Sequence, residues 1–159
     1  MNFKQLFKAA QIFVLVLSAY AGYGQQKDNP DLTAAKKAIA ASNAIYFTAF
    51  AKGDSSIFIN RYAKDCWIMA PNMPAMHGPN TPLIFFRKAY HDIGLRNGKF
   101  FTTDVFGDGK EYVTEVGTWQ SFDAKGKLFD NGKFLVLWKK TKDGWKMFRD
   151  SFSSDNAAK

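Results

Sequence analysis

Few side chains in this chain are equipped for chemistry, and a handful of acids, one tyrosine and two histidines carry most of the options. Glu115 is one of only two glutamates and sits among Val113, Val116 and Trp119, so it reads as an acid facing an apolar interior. A buried charge persists when it is paired, and Arg149 is the partner that strand geometry offers. Without that partner, Glu115 would be an acid or base of raised pKa. Tyr46 can give its hydroxyl to an oxyanion or ligand, or be a core tyrosine bonded to Asn43 or a water. His77 can be a general base at a loop mouth or a solvent-facing histidine. Asp150 completes the proton-transfer candidates, Tyr46, Glu115, His77 and Asp150. Asp65 reads as a brace at a strand start, and His91, beside Asp92, as surface.

Other chemistries find no support. His77 and His91 lie fourteen residues apart, and the single cysteine, Cys66, falls in a strand, so no ligand spacing for a metal emerges. A glycine-rich phosphate loop and a nucleophile elbow are both missing, and no cofactor is implied. The formal charge of +8 comes from scattered lysines. Lys139, Lys140 and Lys142 form the one tight cluster, in a hairpin turn, so nucleic acid is not an expected partner. A lone cysteine cannot form an internal disulfide, so the fold must stand on its core. Sixteen Phe, four Trp and six Tyr can supply one.

The elements that position these residues follow from pattern. Lys4 and Lys8, an apolar run from Ala9 to Ser18 and Ala19-Tyr20-Ala21 read as a signal peptide over residues 1–21, with a second possible cut after Gly24. Its removal takes two lysines and no acid, leaving +6 of the +8. An exported protein, periplasmic or secreted, is expected, without stable membrane insertion once the signal is gone. Residues 22–30 read as a tether and 31–155 as one domain. A helix capped by Asp31 or Thr33 should run to Lys52 and stop at Gly53, with Ala35, Ile39, Tyr46, Phe47 and Phe50 on one face and Asn43 inside that stripe. Asp54 can cap a short second helix through Ile57, Phe58 and Tyr62. Cys66–Ala70 is a strand ended by Pro71, 71–82 a loop, and Leu83–Ile93 a third helix closed by Gly94. Four strands follow: Phe100–Phe106, Tyr112–Phe122, Leu128–Trp138 and Trp145–Phe152. The order α-α-β-α-β-β-β-β is α+β, a cone-shaped roll with three helices packed on a strongly curved, mostly antiparallel sheet.

Strand alternation assigns the faces. Phe134, Val136 and Trp138 should face inward, with Glu115, Gly117 and Trp119 opposite them. Counted from Gly144, the last strand should then send in Trp145, Met147, Arg149 and Ser151, and turn Phe148, Asp150 and Phe152 outward. A one-residue bulge would reverse that choice. The expected ligand-binding set is Asn43, Tyr46, Ile68, Ala70, Glu115, Trp119, Phe134, Val136, Arg149 and Ser151. The expected partner is a small apolar or aromatic molecule. An apolar outer face of Leu135, Leu137, Phe148 and Phe152 should pair with a second copy as a homodimer.

Phe50-Ala51-Lys52-Gly53-Asp54, Tyr62-Ala63-Lys64-Asp65, His77-Gly78, Glu115-x-Gly117-x-Trp119 and Gly132-Lys133-Phe134 through Gly144-Trp145 follow one another in order. In this order the chain resembles the nuclear transport factor 2-like superfamily, and within it the secreted members of the ketosteroid-isomerase-like and polyketide-cyclase-like (SnoaL-like) branch. The resemblance covers Ala34 to Ser153 and implies the same cone-shaped fold. It also implies an oxyanion-binding tyrosine seven residues before the Gly-Asp pair, where Tyr46 stands. The isomerase base, an Asp before the strand-ending proline, is replaced by Ala70. The acid expected between Phe134 and Trp138 is missing, so steroid isomerisation by that route is not expected. The function expected is a small-molecule-binding domain. The alternative is an isomerase, dehydratase or cyclase using acid–base chemistry in the same pocket.

Overall fold

The computed structural model of the protein describes residues 29–157; the expected signal peptide, both of its cuts and most of the tether lie outside the described residues. Helix α1 spans Pro30–Tyr46, and its cap is Asn29, whose side chain accepts from the Leu32 N–H at 3.1 Å. Asn29 displaces the expected Asp31 and Thr33 because proline at the first helical position needs no N–H partner, which sets the cap one residue before it. Ala35, Ile39 and Tyr46 are buried along one face. The expected continuation to Lys52 is divided at Phe47, after which α2 covers Thr48–Lys52 and ends on Gly53 at φ 66°. Helix α3 covers Ser55–Ile59, with Asp54 as its cap.

Strand β1 is Tyr62–Met69 and the two-residue β2 is Met76–His77. Tyr62 therefore opens a strand instead of closing a helix: it pairs with Met147 across a parallel ladder. Helix α4, Thr81–Arg87, runs on into a wider π-type turn at Lys88–Ile93, which Gly94 closes at φ 82°. Strands β3 (Asn97–Gly107), β4 (Tyr112–Phe122), β5 (Leu128–Thr141) and β6 (Gly144–Ser154) make up the rest of the sheet. The six strands lie in the order β2-β1-β6-β5-β4-β3, antiparallel except for β1 against β6. This is the α+β architecture expected, with the helices on the concave side of a curved, unclosed sheet.

The core is an aromatic stack between helices and sheet. Phe50, Phe58, Ile39 and Trp138 are fully buried. Tyr46 packs edge-on to Phe47, Phe58 and Phe100 with ring centroids 4.9–5.1 Å apart. Aromatic pairs at such spacing add to the burial of their area. Gly117 belongs to the same packing. A Cβ there would come within 2.3 Å of the Phe101 carbonyl oxygen and 2.7 Å of the Phe134 ring, so only glycine lets Phe134 lie flat against β4.

Two bulges decide which side chains enter the concave side. In β3 the register shifts between Thr102 and Asp104, so that Thr102 stays inward opposite Gly117 and Val105 is inward further along. In β6 Leu137 pairs with Arg149 while Trp138 pairs with Met147, leaving Phe148 unmatched. The extra residue resets the alternation. Met147 faces in, Phe148 and Arg149 both face out, and Asp150 and Phe152 face in.

Candidate functional site

One transverse row of the sheet brings Glu115, Val136, Asp150 and Ile68 side by side on β4, β5, β6 and β1. Above it lies a cavity of about 230 Å³ whose lining includes Asn43, Tyr46, Ala70, Glu115, Trp119, Phe134, Val136 and Asp150. Phe100, Phe129, Met147 and Phe152 add apolar surface, and Pro71, Asn72, Met73, Lys88 and Ile93 contribute further lining. Mostly apolar walls with sparse polar groups are the usual composition of a ligand pocket.

Of the residues expected to line a pocket, Ile68 is fully buried beneath the cavity instead of on its surface. Arg149 and Ser151 are corrections. The bulge at Phe148 turns both to the convex face, where the Arg149 guanidinium lies 3.6 Å from the Phe148 ring and 5.1 Å from that of Trp67. It donates to the Asp65 carbonyl at 3.0 Å, so the anticipated Glu115–Arg149 ion pair does not form. The same bulge brings Asp150 and Phe152 inside, so Phe152 leaves the expected outer apolar face. His77 also lies on the convex face, its ring 5.3 Å from Trp67 and away from the cavity. His91 is exposed, and Asp65 is held on the surface by Lys139 at 3.0 Å.

Glu115 is almost fully buried and its partners are all neutral. Asn43 Nδ2 and Thr102 Oγ1 donate to Oε1 at 2.7 and 2.6 Å, and Trp138 Nε1 donates to Oε2 at 3.0 Å. Burial raises its pKa while these three donors oppose the rise. Because a carboxylate only accepts, the Asn43 amide must present its NH2 to Glu115. Its Oδ1 is left buried with no donor among the described residues.

Asp150 is held differently. It is 6% exposed, and Tyr62 Oη donates to its Oδ2 at 2.7 Å. Burial, reinforced by the nearby charge of Glu115, pushes its pKa up to about 6 despite that bond. Burial and the charge of Asp150 likewise raise the Tyr46 and Tyr62 phenols well above the ordinary tyrosine value, so both remain protonated donors. Trp119 Nε1, on the same concave face of the sheet, is a buried donor with no acceptor among the described residues. Met147 faces inward as the alternation predicts, whereas Tyr62, Phe100 and Phe152 were not among the residues expected in the site. For Tyr62 the one available signal was its match to inward Phe58 at helical spacing, which pointed to the wrong element.

Cys66 is buried, its thiol pushed up to about 11 and directed at the Gly78 carbonyl at 3.8 Å. Among the described residues no group of three His, Cys, Asp or Glu side chains is placed to hold a metal, and no helix is long and apolar enough to cross a membrane.

No protein-family model and no curated protein matches the sequence. Solved structures do match. A nuclear transport factor 2-like protein of unknown function from Shewanella oneidensis is 21% identical, with a TM-score of 0.63 over 74% of this chain and 98% of its own. A ketosteroid isomerase-like protein from Erwinia carotovora is 17% identical, with a TM-score of 0.61 over 83% and 99%. A nuclear transport factor 2-like superfamily protein from Salmonella enterica is 12% identical, with a TM-score of 0.61 over 80% and 95%. The fold of this chain is therefore the nuclear transport factor 2-like cone. Such likeness defines the scaffold and leaves the chemistry to the residues in the cavity.

Proposed function

We propose that the protein is an exported small-molecule-binding domain whose ligand sits in the cone beside Asp150 and Trp119. The observation that carries this reading is the unmatched Trp119 Nε1–H, a buried donor on the wall of an aromatic-lined cavity. A buried donor without an acceptor costs about 1–3 kcal/mol, and a bound molecule carrying an acceptor oxygen would remove that cost. The cavity of about 230 Å³ suits a molecule smaller than a typical drug. Native mass spectrometry of the purified protein tests this. A stoichiometric co-purified small molecule, lost in Trp119→Phe, supports the reading; a panel of small aromatic and aliphatic compounds that leaves tryptophan fluorescence unchanged opposes it.

A second reading, acid–base catalysis in the same cavity, is favoured by Asp150 itself. A carboxyl with a pKa of about 6 is suited to moving protons near neutrality. Turnover that vanishes in Asp150→Asn while ligand affinity persists would establish it.

Two further features belong to the proposal. Export rests on the signal-like residues 1–21, and N-terminal sequencing of the mature protein would reveal a cut after Ala21 or Gly24. The convex face exposes Leu135 (49%) and Trp67 (40%) beside the half-buried Leu137, and a second copy is its proposed partner. Sedimentation at micromolar concentration should find a dimer that Leu135→Lys weakens.

A further inference from the structure

We propose that the cavity selects organic cations, taking an amine on a small, largely apolar body that also carries an acceptor oxygen for Trp119, with Asp150 as its counter-ion; this rests on the small-molecule reading above. Asp150 Oδ2 accepts from Tyr62, and Oδ1 accepts no hydrogen bond from the described residues. The titratable groups that face Asp150 are Tyr62 and Cys66 from β1, Tyr46 from α1 and Glu115 from β4. Every one of them is an acid. Among the described residues no lysine, arginine or histidine pairs with Asp150.

The cations closest in sequence or space are engaged elsewhere. Arg149 is turned to the convex face by the bulge. Lys88 lines the cavity, but its side chain is 49% exposed and bridges to Asp92 at 3.8 Å. Glu115 is satisfied by neutral donors and adds its own negative charge, as does Asp130 in the lining. A buried carboxylate without a countercharge is costly, and removing its water without supplying a cation leaves that cost standing.

An ammonium group supplies the missing charge and brings several N–H donors. Asp150 Oδ1 can take one, and the unmatched Asn43 Oδ1, in the same lining, is a second acceptor. Trp119, Phe100, Phe134 and Phe152 line the space, and aromatic rings both attract cations and accommodate an apolar body. An anion would meet Asp150, Glu115 and Asp130 at once. A neutral alcohol could donate to Asp150 but would leave its charge uncompensated.

Calorimetric titration of the full mature protein with 2-phenoxyethylamine, 2-phenoxyethanol and phenoxyacetate, each carrying the same ether oxygen as an acceptor for Trp119, tests the proposal. The amine should bind at least ~10-fold more tightly than the alcohol, with phenoxyacetate weakest. Asp150→Asn should reduce amine affinity by ~10-fold or more and change alcohol affinity by less than ~3-fold. In the unmodified protein, amine affinity should fall as pH is lowered through about 6, where Asp150 takes up a proton, while alcohol affinity stays level. Alcohol or acid binding as tightly as the amine, or amine binding indifferent to both Asp150→Asn and pH, overturns the cation preference and leaves the small-molecule reading intact. Binding by none of the three overturns both.

Discussion

Glu115 and Asp150 face one interior from the same transverse row of the sheet, two strands apart with Val136 between them. Their surroundings give them opposite roles. Glu115 is fixed by three neutral donors, whereas among the described residues Asp150 has one donor, on Oδ2, and none on Oδ1. The first organises the wall and the second is available to a ligand.

Asp150 should make the protein less stable as pH rises. Burial lifts its folded pKa from 3.8 to about 6, so the native state holds the proton more tightly than the unfolded chain does. That contribution is fully present below the unfolded value and is lost as pH rises through the folded one. Asp150→Asn has no such proton to lose. At about pH 8 it should be more stable than the parent by up to about 3 kcal/mol, with the gap closing near pH 4. Urea denaturation at both pH values measures it, and a variant weaker than the parent at the higher pH would contradict the burial of an unpaired charge.

The Tyr62 hydrogen bond lowers the Asp150 pKa against the effect of burial. Tyr62→Phe removes one hydroxyl and little volume. The carboxyl carbon of Asp150, followed by NMR titration, should then titrate above its parental value of about 6. An unchanged or lowered midpoint would mean that the bond does not stabilise the carboxylate.

Glu115→Gln replaces one acceptor oxygen with an NH2 that must confront Asn43, Thr102 or Trp138. A loss of about 1–3 kcal/mol in unfolding free energy is expected. Ligand affinity should change little, because the carboxylate oxygens are already occupied by the protein. A large loss of affinity with little loss of stability would move Glu115 from the wall to the ligand.

Gly117→Ala drives a methyl against the Phe101 carbonyl and the Phe134 ring. Overpacking of this kind costs about 1–3 kcal/mol, read as a lowered thermal midpoint. Since Phe134 lines the cavity, ligand affinity should weaken in parallel.

Much of this arrangement was legible in residue order. Asn43 and Tyr46 share a helical face, so their meeting with the sheet followed from the stripe they occupy. Strand alternation placed Trp119, Phe134 and Val136 on the inner face because β4 and β5 run opposite each other in one continuous register from Tyr112 to Ser121. The bulge at Phe148 was not legible. Met147, Phe148 and Phe152 are all apolar, so hydrophobicity fits either register, and the facing of Asp150 and Arg149 turns on one unmatched residue. Tyr62 was misplaced because its spacing from Phe58 mimics a helical turn, while its parallel pairing with Met147 depends on residues far along the chain. The strand Met76–His77 is too short for any periodicity to announce it.

A crystal structure of the mature protein is the most direct measurement. Phe148 should be the unmatched bulge residue, with Asp150 inside beside Trp119 and an ordered molecule or water on Asp150 Oδ1. Arg149 inside paired with Glu115, and Asp150 on the convex face, would contradict it.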